Sequence, residues 1–220
     1  VDAITGPISG RPKSATFRTC DVVGIDTLVK VAQGVKDNCP NDEKKDLFAI
    51  PAFLDKMVES KWLGDKTGQG FYKKSKDADG NRTIEALNLS AMAYGAQAKP
   101  RFESIGAARQ EDSLKKRLKI LAKGSDKASD FFNKLNHLVF SYVSFRLPEI
   151  ADNLYQIDDA MRAGFGWELG PFEQWDVLGV ERNLATMQAK GIEIAPWVAK
   201  MVQKGITTFY KSEGGKRYFY

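Results

Sequence analysis

The sequence predicts an all-α fold built from two tandem copies of one helical unit, each closed by a small β-hairpin. The first observation is an internal repeat. Asp21-Val22-Val23-Gly24-Ile25-Asp26 returns as Asp176-Val177-Leu178-Gly179-Val180-Glu181, with a Phe four residues before each Asp, Phe17 and Phe172. Downstream, Met57-Val58 matches Met201-Val202 and Phe71-Tyr72-Lys73 matches Phe209-Tyr210-Lys211, in the same order. The offset falls from 155 at the Asp to 144 at Met-Val and 138 at Phe-Tyr-Lys, which is what loop deletions in a second copy produce. The second observation is the recurrence of apolar residues at three- and four-residue steps, the spacing of a buried helix face. The expected division is 1–124 for the first repeat, with its hairpin and a connector, and 125–220 for the second.

Taken in order, a Gly/Pro turn opens the chain, and a helix is expected from Ser14 to about Val23, stopped by Gly24. Asp26 then caps a second helix bearing Leu28, Val29, Val31 and Ala32. Asn41 to Lys45 is a polar linker, and Ile50 to Lys61 is a helix with Phe53, Leu54, Met57 and Val58 on its apolar face. Gly64, Gly68 and Gly70 break that period. Phe71-Tyr72 and Thr83-Ile84-Glu85-Ala86-Leu87 then flank the turn Asp79-Gly80-Asn81, which predicts a hairpin. Gln97 to Gln110 reads as a connector with a short helix, and Ser113 caps a segment striped by Leu114, Leu118 and Leu121 and closed by Gly124.

The second copy opens on a long apolar segment, with Phe131, Phe132, Leu135, Leu138, Val139, Tyr142 and Phe145 on the expected buried face. Pro148 should interrupt it and open another helix through Ile150, Ala151 and Leu154. Asp158 is read as the cap of Ala160-Met161, ended by Gly164. Gly170-Pro171 should start a helix with Pro at its first position and Glu173 near its positive end. Gly191 and Gly205 mark two further helix ends, and Thr208-Phe209-Tyr210 with Arg217 to Tyr220 should make a hairpin around Gly214-Gly215. No counterpart of the long apolar helix precedes the first turn, so the first copy lacks its opening helix and the chain is expected to be a fragment of a longer polypeptide.

A chain of 220 residues, 43% hydrophobic, suffices for one large core or two small ones. No apolar run approaches the length of a membrane-spanning helix and no signal segment opens the chain, which predicts a cytoplasmic protein without membrane contact. Cys20 and Cys39 sit in unrelated contexts without metal-ligand spacing and read as reduced thiols. The net charge of +5 comes wholly from the first 124 residues, and most of the lysines read as solvation of helix faces. Nucleic acid is not an expected partner.

Catalytic constellations are thin. The one histidine, His137, lies within the long apolar helix and reads as a packing or surface residue rather than a base. No Ser-His-Asp set, metal-ligand set or phosphate loop is present, and the glycine clusters Gly6/Gly10/Gly24 and Gly164/Gly166/Gly170 lack the strand-turn-helix context of a dinucleotide site. The segment Thr5 to Arg18 is the better candidate for ligand contact. It gathers Arg11, Lys13, Ser14 and Arg18 at an expected helix N-terminus, where free N–H groups favour an anion; a capped helix with a solvated basic edge explains it equally. Its counterpart, Gly164 to Glu173, carries Trp167 and two acids instead and reads as a copy kept for packing. Phe165, Trp167, Phe172 and Trp175 have the density of an interface between the two copies.

At these residues a resemblance emerges. Asp2-Ala3-Ile4-Thr5-Gly6-Pro7, Gly10-Arg11-Pro12-Lys13-Ser14-Ala15-Thr16-Phe17-Arg18 and Asp21 to Thr27, with Leu63-Gly64 and Lys66-Thr67-Gly68-Gln69-Gly70-Phe71-Tyr72, closely resemble the C-terminal domain of (3S)-3-hydroxyacyl-CoA dehydrogenases. Pro148 to Asp152 and Gly164 to Asp176 resemble the tandem second copy in multifunctional fatty-acid oxidation proteins. The resemblance implies helical domains of the 6-phosphogluconate dehydrogenase C-terminal type that follow an NAD-binding Rossmann domain and help close an acyl-CoA cleft. It also implies that the His/Glu dyad and a helper Asn lie upstream of Val1. No catalytic, cofactor-binding or metal residue is therefore expected here, and His137 does not match the catalytic position. The implied partners are the upstream Rossmann domain, the acyl-CoA substrate and an enoyl-CoA hydratase domain, with NAD bound only in the intact parent. An assembly module without ligand contact is the alternative.

Overall fold

In the computed structural model, which describes residues 1–98, 101–214 and 216–219, the chain divides into two compact units. One comprises Val1–Asp2 and Ser14–Pro100, the other Ala3–Lys13 and Arg101–Tyr220. Gly215 and Tyr220, named in the expected second hairpin, lie outside the described residues. The compact boundary differs from the expected repeat boundary at Gly124. The connector helices α4 (Glu103–Ala108) and α5 (Leu114–Lys123) bury Ile105, Ala108, Leu118 and Leu121 in the core of the second unit, so they fold with that unit.

The first unit holds α1 (Phe17–Val23), α2 (Ile25–Asn38), α3 (Ala52–Glu59) and a three-stranded antiparallel sheet of β1 (Tyr72–Lys76), β2 (Arg82–Asn88) and β3 (Ala93–Ala96). The expected hairpin is β1–β2, with Lys76 opposite Arg82 across the turn, and β3 extends it beyond the sequence reading. Helix α1 starts three residues later than Ser14. Gly24, at φ 102°, caps α2 in place of Asp26, because the abrupt turn from α1 into α2 needs backbone that only glycine adopts freely. The core is small: Ile25, Leu54, Met57, Phe71 and Leu87, with Phe17, Phe53 and Trp62 packed on it.

The second unit adds α6 (Lys127–Ile150), α7 (Leu154–Phe165), α8 (Pro171–Leu178), α9 (Val180–Ala189), α10 (Pro196–Gln203) and a hairpin of β4 (Tyr210–Glu213) with β5 (Lys216–Phe219). The segment Ala3–Lys13, with a short 3₁₀ turn at Pro7–Ser9, packs here through Ile4 and Ile8. The core centres on Phe132, Phe140, Phe172, Trp175 and Phe209, with Phe140 stacked on Trp175 at 4.8 Å and 3°. Phe172 and Trp175 are fully buried in this core, while Phe165 is exposed.

Three local expectations give way here. Pro148 does not interrupt α6, because the carbonyl its missing N–H leaves open, that of Ser144, accepts the indole N–H of Trp197 at 2.8 Å. The fully buried stripe of α6 is Phe132, Asn136, His137, Phe140, Ser141 and Ser144, while Leu138 faces solvent. The polar members are buried because they are bonded: Asn136 Nδ2 to Phe132 O at 2.9 Å, Ser141 Oγ to Glu193 O at 2.7 Å, and Ser144 Oγ to Ser141 O at 2.7 Å. Asp158 lies inside α7 and does not cap it. That helix is capped by Asn153 and is closed by Gly166, not Gly164.

Candidate functional site

The strongest polar constellation in each unit is a pair of aspartates that ties a helix to a Phe-Tyr strand start. In the first unit Asp2 accepts the backbone N–H groups of Thr16 (3.2 Å), Phe17 (2.8 Å) and Arg18 (3.2 Å), capping α1, and also the Tyr72 hydroxyl at 2.8 Å. Asp21, one turn into α1 and buried, accepts the N–H of Phe71 at 2.7 Å and of Tyr72 at 2.9 Å. In the second unit Asp158 accepts Phe172 N–H (2.9 Å), Glu173 N–H (3.1 Å) and the Tyr210 hydroxyl (2.7 Å), and Asp176 accepts Phe209 N–H (2.7 Å) and Tyr210 N–H (2.9 Å). Bond for bond, one lock is built twice.

The electrostatics follow from burial. Loss of water pushes the Asp158 and Asp176 carboxyls up to about 6, against the pull of the N–H and hydroxyl donors, and pushes Asp21 up by the same cause. Tyr72 and Tyr210 are raised well above the ordinary phenol value by burial and by donating to Asp2 and Asp158. Each hydroxyl is therefore a fixed donor. These groups have the buried, perturbed look of catalytic residues, yet every one is engaged by its own unit's backbone or side chains.

Close packing explains the glycines around each lock. A Cβ on Gly64 would strike the Asp21 backbone, one on Gly70 its carboxylate, and one on Gly170 the Asp158 side chain. Gly70 and Gly170 are thus read by space rather than by φ.

The four residues singled out as cleft candidates divide between units. Arg11, in the second, is half-buried and stacks over the Trp167 ring at 4.2 Å; burial lowers its guanidinium to about 10. Lys13 is exposed. In the first unit Ser14 Oγ accepts the Thr19 hydroxyl at 2.8 Å, and Arg18 makes a two-pronged pair with Asp65 at 2.6 and 2.7 Å. The free N–H groups expected at this turn are taken by Asp2, which occupies the place an external anion would fill. Asp2 could have been found from the sequence, since it stands 156 residues before Asp158, one residue from the offset of the main repeat.

At the position matching Arg18 stands Glu173, and the sign of the pairing inverts. Glu173 is bonded by Arg162, by Arg217 at 2.5 Å and by the Gly170 N–H at 2.7 Å; burial works against the charge, but these donors hold the carboxyl below its usual range. Arg217 also lies over the Tyr210 ring at 3.5 Å. His137 is buried, with Nε2 3.1 Å from Asn183 Oδ1, and burial lowers its pKa. Cys20 is partly buried and raised to about 11 chiefly by burial, and Cys39 is exposed; both are free thiols. Among the described residues no three His, Cys, Asp or Glu side chains converge as a metal set, and no helix is long and apolar enough to cross a membrane.

Comparison with known proteins bears on the same residues. The family described as 3-hydroxyacyl-CoA dehydrogenase, C-terminal domain, matches residues 1–74 and again 133–218, one segment around each lock. The Bacillus subtilis (strain 168) protein named "Probable 3-hydroxyacyl-CoA dehydrogenase" is 42% identical over 220 residues, all of this chain and 27% of the relative. The Rickettsia felis protein named "Putative fatty acid oxidation complex trifunctional enzyme" is 27% identical over 167 residues, 74% of this chain and 21% of that protein. The chain thus spans about a quarter of the length of these relatives. The crystal structure of 3-hydroxybutyryl-CoA dehydrogenase from Escherichia coli K12 matches in fold, with a TM-score of 0.54 over 93% of this chain and 55% of the other, at 16% identity. With both locks inside matched segments, the chain belongs to the 3-hydroxyacyl-CoA dehydrogenase C-terminal domain family, in two copies.

Proposed function

We propose that this chain is the helical portion of an NAD-dependent (3S)-3-hydroxyacyl-CoA dehydrogenase of fatty-acid β-oxidation, and that the redox chemistry belongs to sequence beyond these 220 residues. The supporting observation is the identity of 42% to a relative of which the chain covers 27%. The fixed engagement of the two locks agrees with it, because Asp2, Asp21, Asp158, Asp176, Tyr72 and Tyr210 serve the fold and not a substrate. In this reading the parent carries a Rossmann domain for NAD, an acyl-CoA cleft and, as in a multifunctional protein, an enoyl-CoA hydratase domain. The purified chain is expected to show no NADH-linked turnover of acetoacetyl-CoA. Robust turnover would overturn the assignment.

Within the parent, the Arg11 to Arg18 turn is proposed to border the acyl-CoA cleft, with exposed Lys13 as the group available to a phosphate. The second reading, an assembly role without ligand contact, is favoured by the Arg18–Asp65 pair and the Arg11–Trp167 stack, which commit both arginines to the protein. Lys13→Ala in the intact enzyme separates them. Cleft contact predicts a raised KM for acyl-CoA at unchanged kcat, and the assembly reading predicts unchanged kinetics.

A further inference from the structure

The second unit holds a cavity that the duplicated lock does not fill. It is lined by α5, α8 and the β4–β5 hairpin and has a volume of about 480 Å³, within the range of clefts that take small molecules. Lys115 and Lys119 reach it from α5 and Arg217 from β5, with the hydroxyl residues Thr208 and Ser212 beside them. Glu173 and Asp176 line it too, but their charges are already met. Arg162, Arg217 and the Gly170 N–H bond Glu173, and the N–H groups of Phe209 and Tyr210 bond Asp176.

The cations are not matched in this way. Among the described residues neither Lys115 nor Lys119 has an ion-pair partner, and the two stand one helical turn apart, where like charges repel. Helix α5 carries no acid at all, and Lys115, Lys116 and Arg117 crowd its first turn, against the helix dipole. Lys116 meets Glu111 at 3.5 Å and Arg117 bonds the Asp112 carbonyl at 2.8 Å, which leaves Lys115 and Lys119 unrelieved. Arg217 is held in place: it lies 3.5 Å over the Tyr210 ring and bonds Glu173 through Nη1, and its Nη2 has no partner among the described residues. A fixed guanidinium with donors to spare, two unpaired ammonium groups and two hydroxyls make a donor set suited to phosphate oxygens.

We infer that this cavity binds the phosphate group of a small molecule, with Lys115 and Lys119 neutralising its charge and Arg217, Thr208 and Ser212 donating to its oxygens. An anion held there relieves both the repulsion between the lysines and the misfit of α5 with its own dipole. The set belongs to the second copy alone. Counted along the repeat, Arg18 stands at the position of Glu173 and is paired with Asp65, Gly70 stands at Thr208 and Lys74 at Ser212. The first copy builds its lock without these groups, so the fold of the unit does not require them.

The test is calorimetric titration of the purified chain at low ionic strength, with pyrophosphate and coenzyme A as separate probes. Pyrophosphate is expected to bind, and Lys115→Ala with Lys119→Ala to weaken it at least about tenfold. Lys116→Ala with Lys123→Ala removes the same charge from the same helix outside the cavity and is expected to change binding less than about twofold. All four lysines are exposed, so both variants keep the fold. Coenzyme A binding that is lost with Lys115 and Lys119 assigns the phosphate to a nucleotide, and coenzyme A binding that is absent or indifferent to them assigns it to a free anion. Binding of neither probe, or equal weakening by the two lysine pairs, overturns the inference. The readout involves no turnover, so its failure is separate from failure of the dehydrogenase reading.

Discussion

Asp2 and Asp158 make the same bonds in different surroundings. Each caps a helix and holds a tyrosine hydroxyl, and each is followed by an aspartate that receives the Phe-Tyr backbone. Around Asp158 stands a core of stacked aromatics under a 24-residue helix; the core of the first unit is the smaller cluster of Ile25, Leu54, Met57, Phe71 and Leu87, beside exposed Val22, Val23 and Val31. The lesson is that the polar lock defines the unit, while the apolar cover differs from copy to copy. Burial of apolar area supplies most of the stability, so the second copy should be the firmer.

The largest expected effect is on that cover. Trp175→Ala removes a fully buried indole stacked on Phe140 and should cost about 3–5 kcal/mol, whereas the matching Cys20→Ala should cost less than about 1.5 kcal/mol. Urea denaturation followed by circular dichroism checks both, and equal costs would break the distinction. Next come the locks. Asp158→Ala strands two backbone N–H groups and the Tyr210 hydroxyl in a closed interior and should cost about 2–4 kcal/mol; Asp2→Ala, at a partly open site, should cost about 1–2 kcal/mol.

A smaller effect is the dependence on pH. The folded values of Asp158 and Asp176 are raised to about 6, above the unfolded carboxylate value, so their contribution is fully present below about pH 4 and is lost as pH rises through about 6. Relative to Asp176→Asn, the wild type should therefore lose stability from pH 4 to pH 6.5 in thermal unfolding. A constant difference across that window would contradict the burial argument. The smallest effect concerns α6: Pro148→Ala should change stability by no more than about 0.5 kcal/mol because Trp197 already bonds the Ser144 carbonyl, whereas Trp197→Phe should cost about 1–2 kcal/mol.

The helices were largely legible because glycine stops and apolar spacing act locally. Helices α3 and α5 and the β1–β2 hairpin appear where Met57, Leu118 and Asp79-Gly80-Asn81 place them. What misled was polarity with a distant partner. Ser141, Ser144, Asn136 and His137 are absent from the expected apolar face of α6 yet lie on its buried face, where Ser141, Ser144 and His137 meet Glu193, Ala195 and Asn183 tens of residues away in sequence. Asp158 looks like a cap of its own helix for the same reason; its donors, at Phe172 and Glu173, belong to the next. The basic turn was legible as composition but not as geometry, because nothing local announces that Asp65 waits for Arg18 or that Asp2 fills the end of α1. The third strand, Ala93–Ala96, is too short and too plain in sequence to be seen before it pairs.

Native-state hydrogen exchange resolved by NMR tests the duplicated lock most directly, through the amides of Phe71, Tyr72, Phe209 and Tyr210, the four that donate to Asp21 and Asp176. The account predicts strong protection at all four, with the α1–α2 amides exchanging faster than those of α8–α9. Unprotected amides at Phe71 and Tyr72, or equal exchange in the two helix pairs, would contradict it.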